Sequence, residues 1–182
     1  HSPAWQNIPA VKIDNFHAKS SDHHPRVQAK LTYDAAGLYI HFRVEDQYIA
    51  CRETALQANV CRDSCVEFFV QPAGSEGYFN FEINCGGWLL LHYNTIPRDE
   101  FKLLDEQVLK QVKIYHSLPE RIDPEITEPT TWQVEFFVPY EIFTAECPAV
   151  TAPKPGDTWR ANLYKCGDQT SHPHWASWSP IG

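Results

Sequence analysis

Two strand-like segments, Asp63-Ser64-Cys65-Val66-Glu67-Phe68-Phe69-Val70 and Tyr78-Phe79-Asn80-Phe81-Glu82-Ile83-Asn84-Cys85, constrain the fold most. In the second, Phe79, Phe81, Ile83 and Cys85 alternate with Asn80, Glu82 and Asn84. Period two puts the apolar set on one face of a sheet and the amide and acid groups on the other. The connection, Gln71 to Gly77, is rich in turn formers and short enough for a hairpin. If Val70 pairs with Phe79, Glu67 lies opposite Glu82. Like charges in that position are destabilising, so a cation, an Arg or Lys, or a hydroxyl-rich ligand is expected between them.

Other strand signals surround this hairpin. Ala29–Tyr33 leads through Asp34-Ala35-Ala36-Gly37 into Leu38, Ile40, Phe42 and Val44, which alternate with Tyr39, His41, Arg43 and Glu45. Gly86-Gly87 reads as a bulge or bend carrying the second strand on into Trp88–Tyr93. Phe101, Leu104 and Val108 have the spacing of one short helix. Val112–Tyr115, Trp132–Val138, Trp159–Cys166 and Trp175–Trp178 read as strands, Tyr140–Phe143 as a helical turn, and Pro119, Pro124 and Pro129 as a loop. Seven or more strands with at most one or two short helices predict an antiparallel β-sandwich, immunoglobulin- or jelly-roll-like, as a single domain over residues 1–182.

The aromatic content of 13% suits a β protein or a ligand-binding surface. The net charge of -8, with Lys and Arg scattered, argues against nucleic acid, whose phosphates need a basic face. No apolar run reaches the ~18 residues of a membrane span. The chain begins at His1 and lacks Met, which reads as a processed or truncated product whose signal peptide is gone. Cys61 and Cys65 would stand ~13 Å apart on a strand, beyond disulfide reach, so free or buried thiols are expected.

Three chemistries compete. Two acids about 5 Å apart suit a retaining glycosidase, and ~6.5–9.5 Å an inverting one, so Glu67 and Glu82 could be a catalytic pair; they could equally be structural, one of them pairing with Lys165 or Arg160. Trp175 and Trp178 could offer indole faces to a sugar, whereas Trp5, Trp132 and Trp159 read as core. Cys166, His172, His174, Cys61 and Cys65 could supply zinc ligands but match no standard spacing. Neither a nucleophile elbow nor a phosphate-binding glycine loop is present.

Taken in order, several segments resemble the family 9 carbohydrate-binding modules, in particular single-domain family 9-like proteins of gut Bacteroidetes. They are Trp5–Pro9 with Asn15-Phe16, Leu38–Asp46, Cys61–Phe69, Tyr78–Asn84, Arg160–Asp168, His172-Pro173-His174 and Ser177-Trp178-Ser179-Pro180-Ile181. The resemblance implies a β-sandwich that binds sugars without cleaving them, in a secreted, periplasmic or cell-surface protein of glycan capture or degradation. It implies structural calcium and a sugar held between two Trp walls with acid, amide and Arg groups. Trp178 becomes one wall and Glu67 a hydroxyl-binding acid, with Glu82, Asn84, Tyr164, Lys165 and Trp175 as further contacts. The other wall falls at Cys61 and the Arg at Glu82, so the sandwich is incomplete. Relatives continue past Trp-x-Pro-Ile, so a closing C-terminal strand is expected to be missing. The alternatives are a glycoside hydrolase using Glu67 and Glu82, and a scaffold that binds another protein in a surface glycan-uptake complex.

Overall fold

A computed structural model describes residues 5–96 and 101–181. Its strands are β1 (Val11–Ile13), β2 (Asn15–Phe16), β3 (Arg26–Tyr33), β4 (Gly37–Asp46), β5 (Ile49–Cys51), β6 (Cys65–Gln71), β7 (Tyr78–Asn84), β8 (Leu89–Asn94), β9 (Lys102–Leu103), β10 (Lys113–His116), β11 (Ile122–Ile126), β12 (Thr130–Pro139), β13 (Arg160–Cys166) and β14 (Trp175–Ser177). Two helices join them, α1 (Glu106–Leu109) and α2 (Tyr140–Glu146). A five-stranded sheet in the order β1-β3-β4-β12-β10 packs on a seven-stranded sheet in the order β2-β14-β13-β6-β7-β8-β9, and β11 pairs with β5 separately. All pairings are antiparallel. The architecture is the antiparallel β-sandwich that the alternation predicts.

The core lies where the inward faces meet. Ile40, Phe42 and Val44 of β4 and Val134, Phe136 and Val138 of β12 face Val66 and Phe68 of β6, Phe79, Phe81 and Ile83 of β7, and Leu89 and Leu91 of β8. Phe136 ties the layers together, its ring 6.4 Å from Phe81 and 6.5 Å from Phe68. Each such ring contributes about 1.5–3 kcal/mol by leaving water. Helix α2 adds Ile142 and Phe143 to this core, with Phe143 edge-on to Phe79 and Trp159.

Three details depart from the sequence reading. At Gly86-Gly87 the chain reverses instead of continuing: Gly87 has a φ of 85°, and β8 returns antiparallel along β7. The predicted helix shrinks to the single turn α1, capped by the Asp105 side chain, because Lys102 and Leu103 are drawn into the sheet as β9. Within the proline-marked loop, Ile122–Ile126 pairs with β5.

At Gly37 strand β4 runs close to β12: a Cβ there would stand 2.2 Å from the carbonyl oxygen of Val138. That oxygen belongs to a paired strand and cannot yield freely. Gly37→Ala is expected to cost about 1–3 kcal/mol, the usual range for overpacking, read as a lower midpoint in denaturant unfolding. An unchanged midpoint would mean that the β4–β12 seam gives way without cost.

Candidate functional site: the outer face of the seven-stranded sheet

Strand parity assigns the outward residues. Glu67, Phe69 and Gln71 of β6 share this face with Tyr78, Asn80 and Glu82 of β7, His92 and Asn94 of β8, and Arg160, Asn162 and Tyr164 of β13. Tyr164 pairs with Glu67, which pairs in turn with Glu82, so the three stand in one row across three strands. The predicted opposition of Glu67 and Glu82 is therefore present, and Val70 does pair with Phe79.

Neither an Arg nor a Lys resolves the opposed charges. The Asn80 amide lies between them, Nδ2 donating to Glu67 Oε2 at 2.8 Å and to Glu82 Oε1 at 3.0 Å. His92 Nε2 stands 3.0 Å from the same Glu82 oxygen, and its Nδ1 lies 2.7 Å from Asn94 Oδ1, so both ring nitrogens meet oxygen acceptors. The Cys166 thiol donates to Glu67 Oε1. Glu67 and Glu82 are only 6% and 7% exposed. Burial, and after it the charge of Glu82, pushes Glu67 up to about 8. Near neutral pH it keeps its proton, and a carboxylic acid both donates to and accepts from a hydroxyl.

Two cavities open on this face, on either side of Tyr164 and Ile181. The larger, about 540 Å³, follows β6 and β13 from Glu67 to Gln71 and Arg160, with Phe69 and Tyr78 along its wall. The smaller, about 370 Å³, runs over Trp175 and Ser177 to Asn15, Phe16 and His17. Trp175 is half-buried, fixed by its indole N–H, which donates to Asp168 Oδ1 at 2.7 Å. Tyr164, Trp175 and Cys61 pack on one small apolar cluster around Cys65 and Cys166.

A profile of carbohydrate-binding family 9 matches residues 4–182. The chain belongs to carbohydrate-binding family 9. A Bacteroides uniformis ATCC 8492 structure, described provisionally as a carbohydrate-binding protein, is similar at 29% identity with a TM-score of 0.88, covering 98% of this chain and 80% of that one. A family 9 module from Caldicellulosiruptor kristjanssonii in complex with glucose aligns at 11% identity with a TM-score of 0.65, over 98% of this chain and 78% of the other. The same module in complex with cellotriose aligns at 11% and 0.65, over 97% and 75%. These two likenesses concern the fold. A search of curated proteins gave no match.

The sheet places the candidate residues differently. Glu67, Tyr164 and Trp175 line the cavities, and Glu82 lies beside Glu67 beneath them. Cys61, the position that the resemblance gives to the second Trp, sits in a one-turn 3-10 helix and packs with Trp175 on the same small cluster. Trp178 lies just past β14, 42% exposed, and lines neither cavity. Asn84 is fully buried and spent within the protein: its Nδ2 donates to Glu53 O and Asp63 Oδ2, and its Oδ1 accepts from Gly86 and Trp88.

Lys165 belongs to the opposite side. It alternates with Tyr164 and points inward with Leu163, fully buried, its Nζ donating to Cys166 O at 2.8 Å and to His174 Nε2 at 2.7 Å, with Asp46 Oδ2 at 3.5 Å. Parity counted from Leu163 would have placed it there; the same count from Glu67 and Tyr164 would have found Phe69 and Arg160.

The thiols form no bridge. The zinc candidates do not converge, since Cys166 bonds Glu67 on one face while His174 bonds Lys165 on the other. Among the described residues no group of three or more His, Cys, Asp or Glu is placed to hold a metal ion.

Proposed function

We propose that this carbohydrate-binding domain holds its ligand on the outer face of the seven-stranded sheet, across Tyr164. The observation that carries the reading is the meeting of two aromatic-lined cavities at Tyr164, directly above a buried acid that keeps its proton. Aromatic rings offer flat apolar surface to the C–H faces of sugars, and Glu67 offers a donor and an acceptor to hydroxyls. Such a cleft, mostly apolar with few polar groups, is what a small ligand needs. Binding rather than hydrolysis is supported by the placement of Glu82, which is 7% exposed and lines neither cavity, so no glycosidic bond can enter between the two acids. No described helix is long and apolar enough to cross a membrane. A secreted or cell-surface location belongs to the same reading, because glycan polymers are met outside the cell.

Calorimetric titration with cello- and xylo-oligosaccharides tests it. Tyr164→Ala is expected to weaken binding at least tenfold, about 1.4 kcal/mol, and Trp178→Ala to change it less than about twofold. The opposite ranking would move the ligand off this face to the chain terminus.

A further inference from the structure

The larger cavity ends at the exposed Arg160, whose guanidinium has no carboxylate partner among the described residues. Arg26 and Arg43 pair with Glu45, Arg52 and Arg121 with Asp123, and Arg62 with Glu53. Among the described arginines, Arg160 alone has no carboxylate partner, and it lines the cavity. It stands opposite Gln71 in the sheet register, four residues along β13 from Tyr164 and therefore about 13 Å from the row that holds Glu67.

We infer that the ligand is an anionic saccharide whose carboxylate, borne by a uronic acid, is taken by Arg160 while neutral rings lie towards Tyr164. The inference rests on the outer-face reading above. A guanidinium presents a planar fork that matches a carboxylate with two parallel hydrogen bonds. Glu67, the cavity's own acid, does not oppose it: it keeps its proton near neutral pH, and 13 Å exceeds the screening length of about 8–10 Å in physiological salt. The net charge of -8 argues against a polyanion. A largely neutral oligosaccharide carrying a single acid meets less of that repulsion and needs only one cation.

The test is a titration of the wild type, Arg160→Gln, Arg160→Lys and Tyr164→Ala with three probes: a neutral xylo-oligosaccharide, the same oligosaccharide bearing one glucuronate branch, and one bearing a single sulfate ester. The wild type should bind the uronate probe about tenfold tighter than the neutral one, with a preference that shrinks at high salt. Arg160→Gln should erase the preference, the uronate probe losing about tenfold more than the neutral one, and Arg160→Lys should keep only part of it, because an ammonium lacks the fork. A preference for sulfate over uronate would retain the anion and change its source. Equal binding of neutral and uronate probes, or an equal loss of both in Arg160→Gln, overturns the inference and leaves the outer-face site standing if Tyr164→Ala still loses them. Silence with every probe, or binding indifferent to Tyr164→Ala, overturns both.

Discussion

Lys165→Met is expected to destabilise the domain by about 3–5 kcal/mol, the usual cost of stranding one member of a buried ion pair. Lys165 and Asp46 both have side chains with no exposed surface, their charged atoms 3.5 Å apart. Asp46 also accepts from the Trp132 indole at 3.2 Å and lies 2.7 Å from His23 Nε2, and the Lys165 ammonium stands 5.7 Å over the Trp132 ring. Methionine fills the space of the lysine stem but leaves Asp46 without its strongest cation and the Cys166 carbonyl without its donor. Adding Asp46→Asn should recover part of the loss, because the amide still accepts from Trp132 and carries no charge. Denaturant unfolding of the two single variants and the double variant measures the coupling directly. Additive losses would mean that the two charges do not depend on each other.

The buried pair also shows where reading the sequence fails. Period two was visible in nearly every strand, because each has one apolar face, and alternation follows from that. It placed the sandwich, the hairpin register and the Glu67–Glu82 opposition. Lys165 keeps the alternation but not the polarity rule: a lysine suggests an outward residue, yet its parity is that of Leu163, and it faces inward to Asp46, distant in sequence, and to His174, nine residues on. Trp178 is a different case. The family resemblance gives it the role of a wall; it stands 42% exposed just past β14, while Trp175, two residues before Ser177, lines the smaller cavity. Which of two nearby indoles reaches a site depends on where the strand ends, and a short terminal strand gives little local signal of its last residue. His92 is hidden for another reason: it meets Glu82 only through the turn at Gly86-Gly87, and a glycine pair alone does not distinguish a reversal from a bend in one continuous strand.

Glu67→Gln is expected to make the protein more stable than the wild type at about pH 9 and no more stable near pH 5. In the folded protein Glu67 is raised to about 8 from its ordinary 4.5, first by burial and then by the charge of Glu82. Between those values the folded state holds a proton that the unfolded chain releases, so stability falls as pH rises, by at most about 1.4 kcal/mol per pH unit. His174 works in the other direction. Burial, and then the nearby Lys165 charge, lower it to about 3 from 6.5, so in that window the unfolded chain binds the extra proton and stability rises with pH. The two oppose each other between about pH 4.5 and 6.5; from there to about 8 Glu67 carries the fall, and Asp168, which burial also raises, acts in the same direction as Glu67. Glutamine cannot ionise and still accepts through its carbonyl oxygen from the Asn80 amide, so it should flatten the alkaline limb without disturbing the acid one. Unfolding free energies measured across pH 5 to 9 for both proteins decide this. A wild-type profile that is flat above pH 6.5, or a Gln variant that falls in parallel with it, would show that Glu67 is ionised at neutral pH and would take away the neutral acid from beneath the ligand.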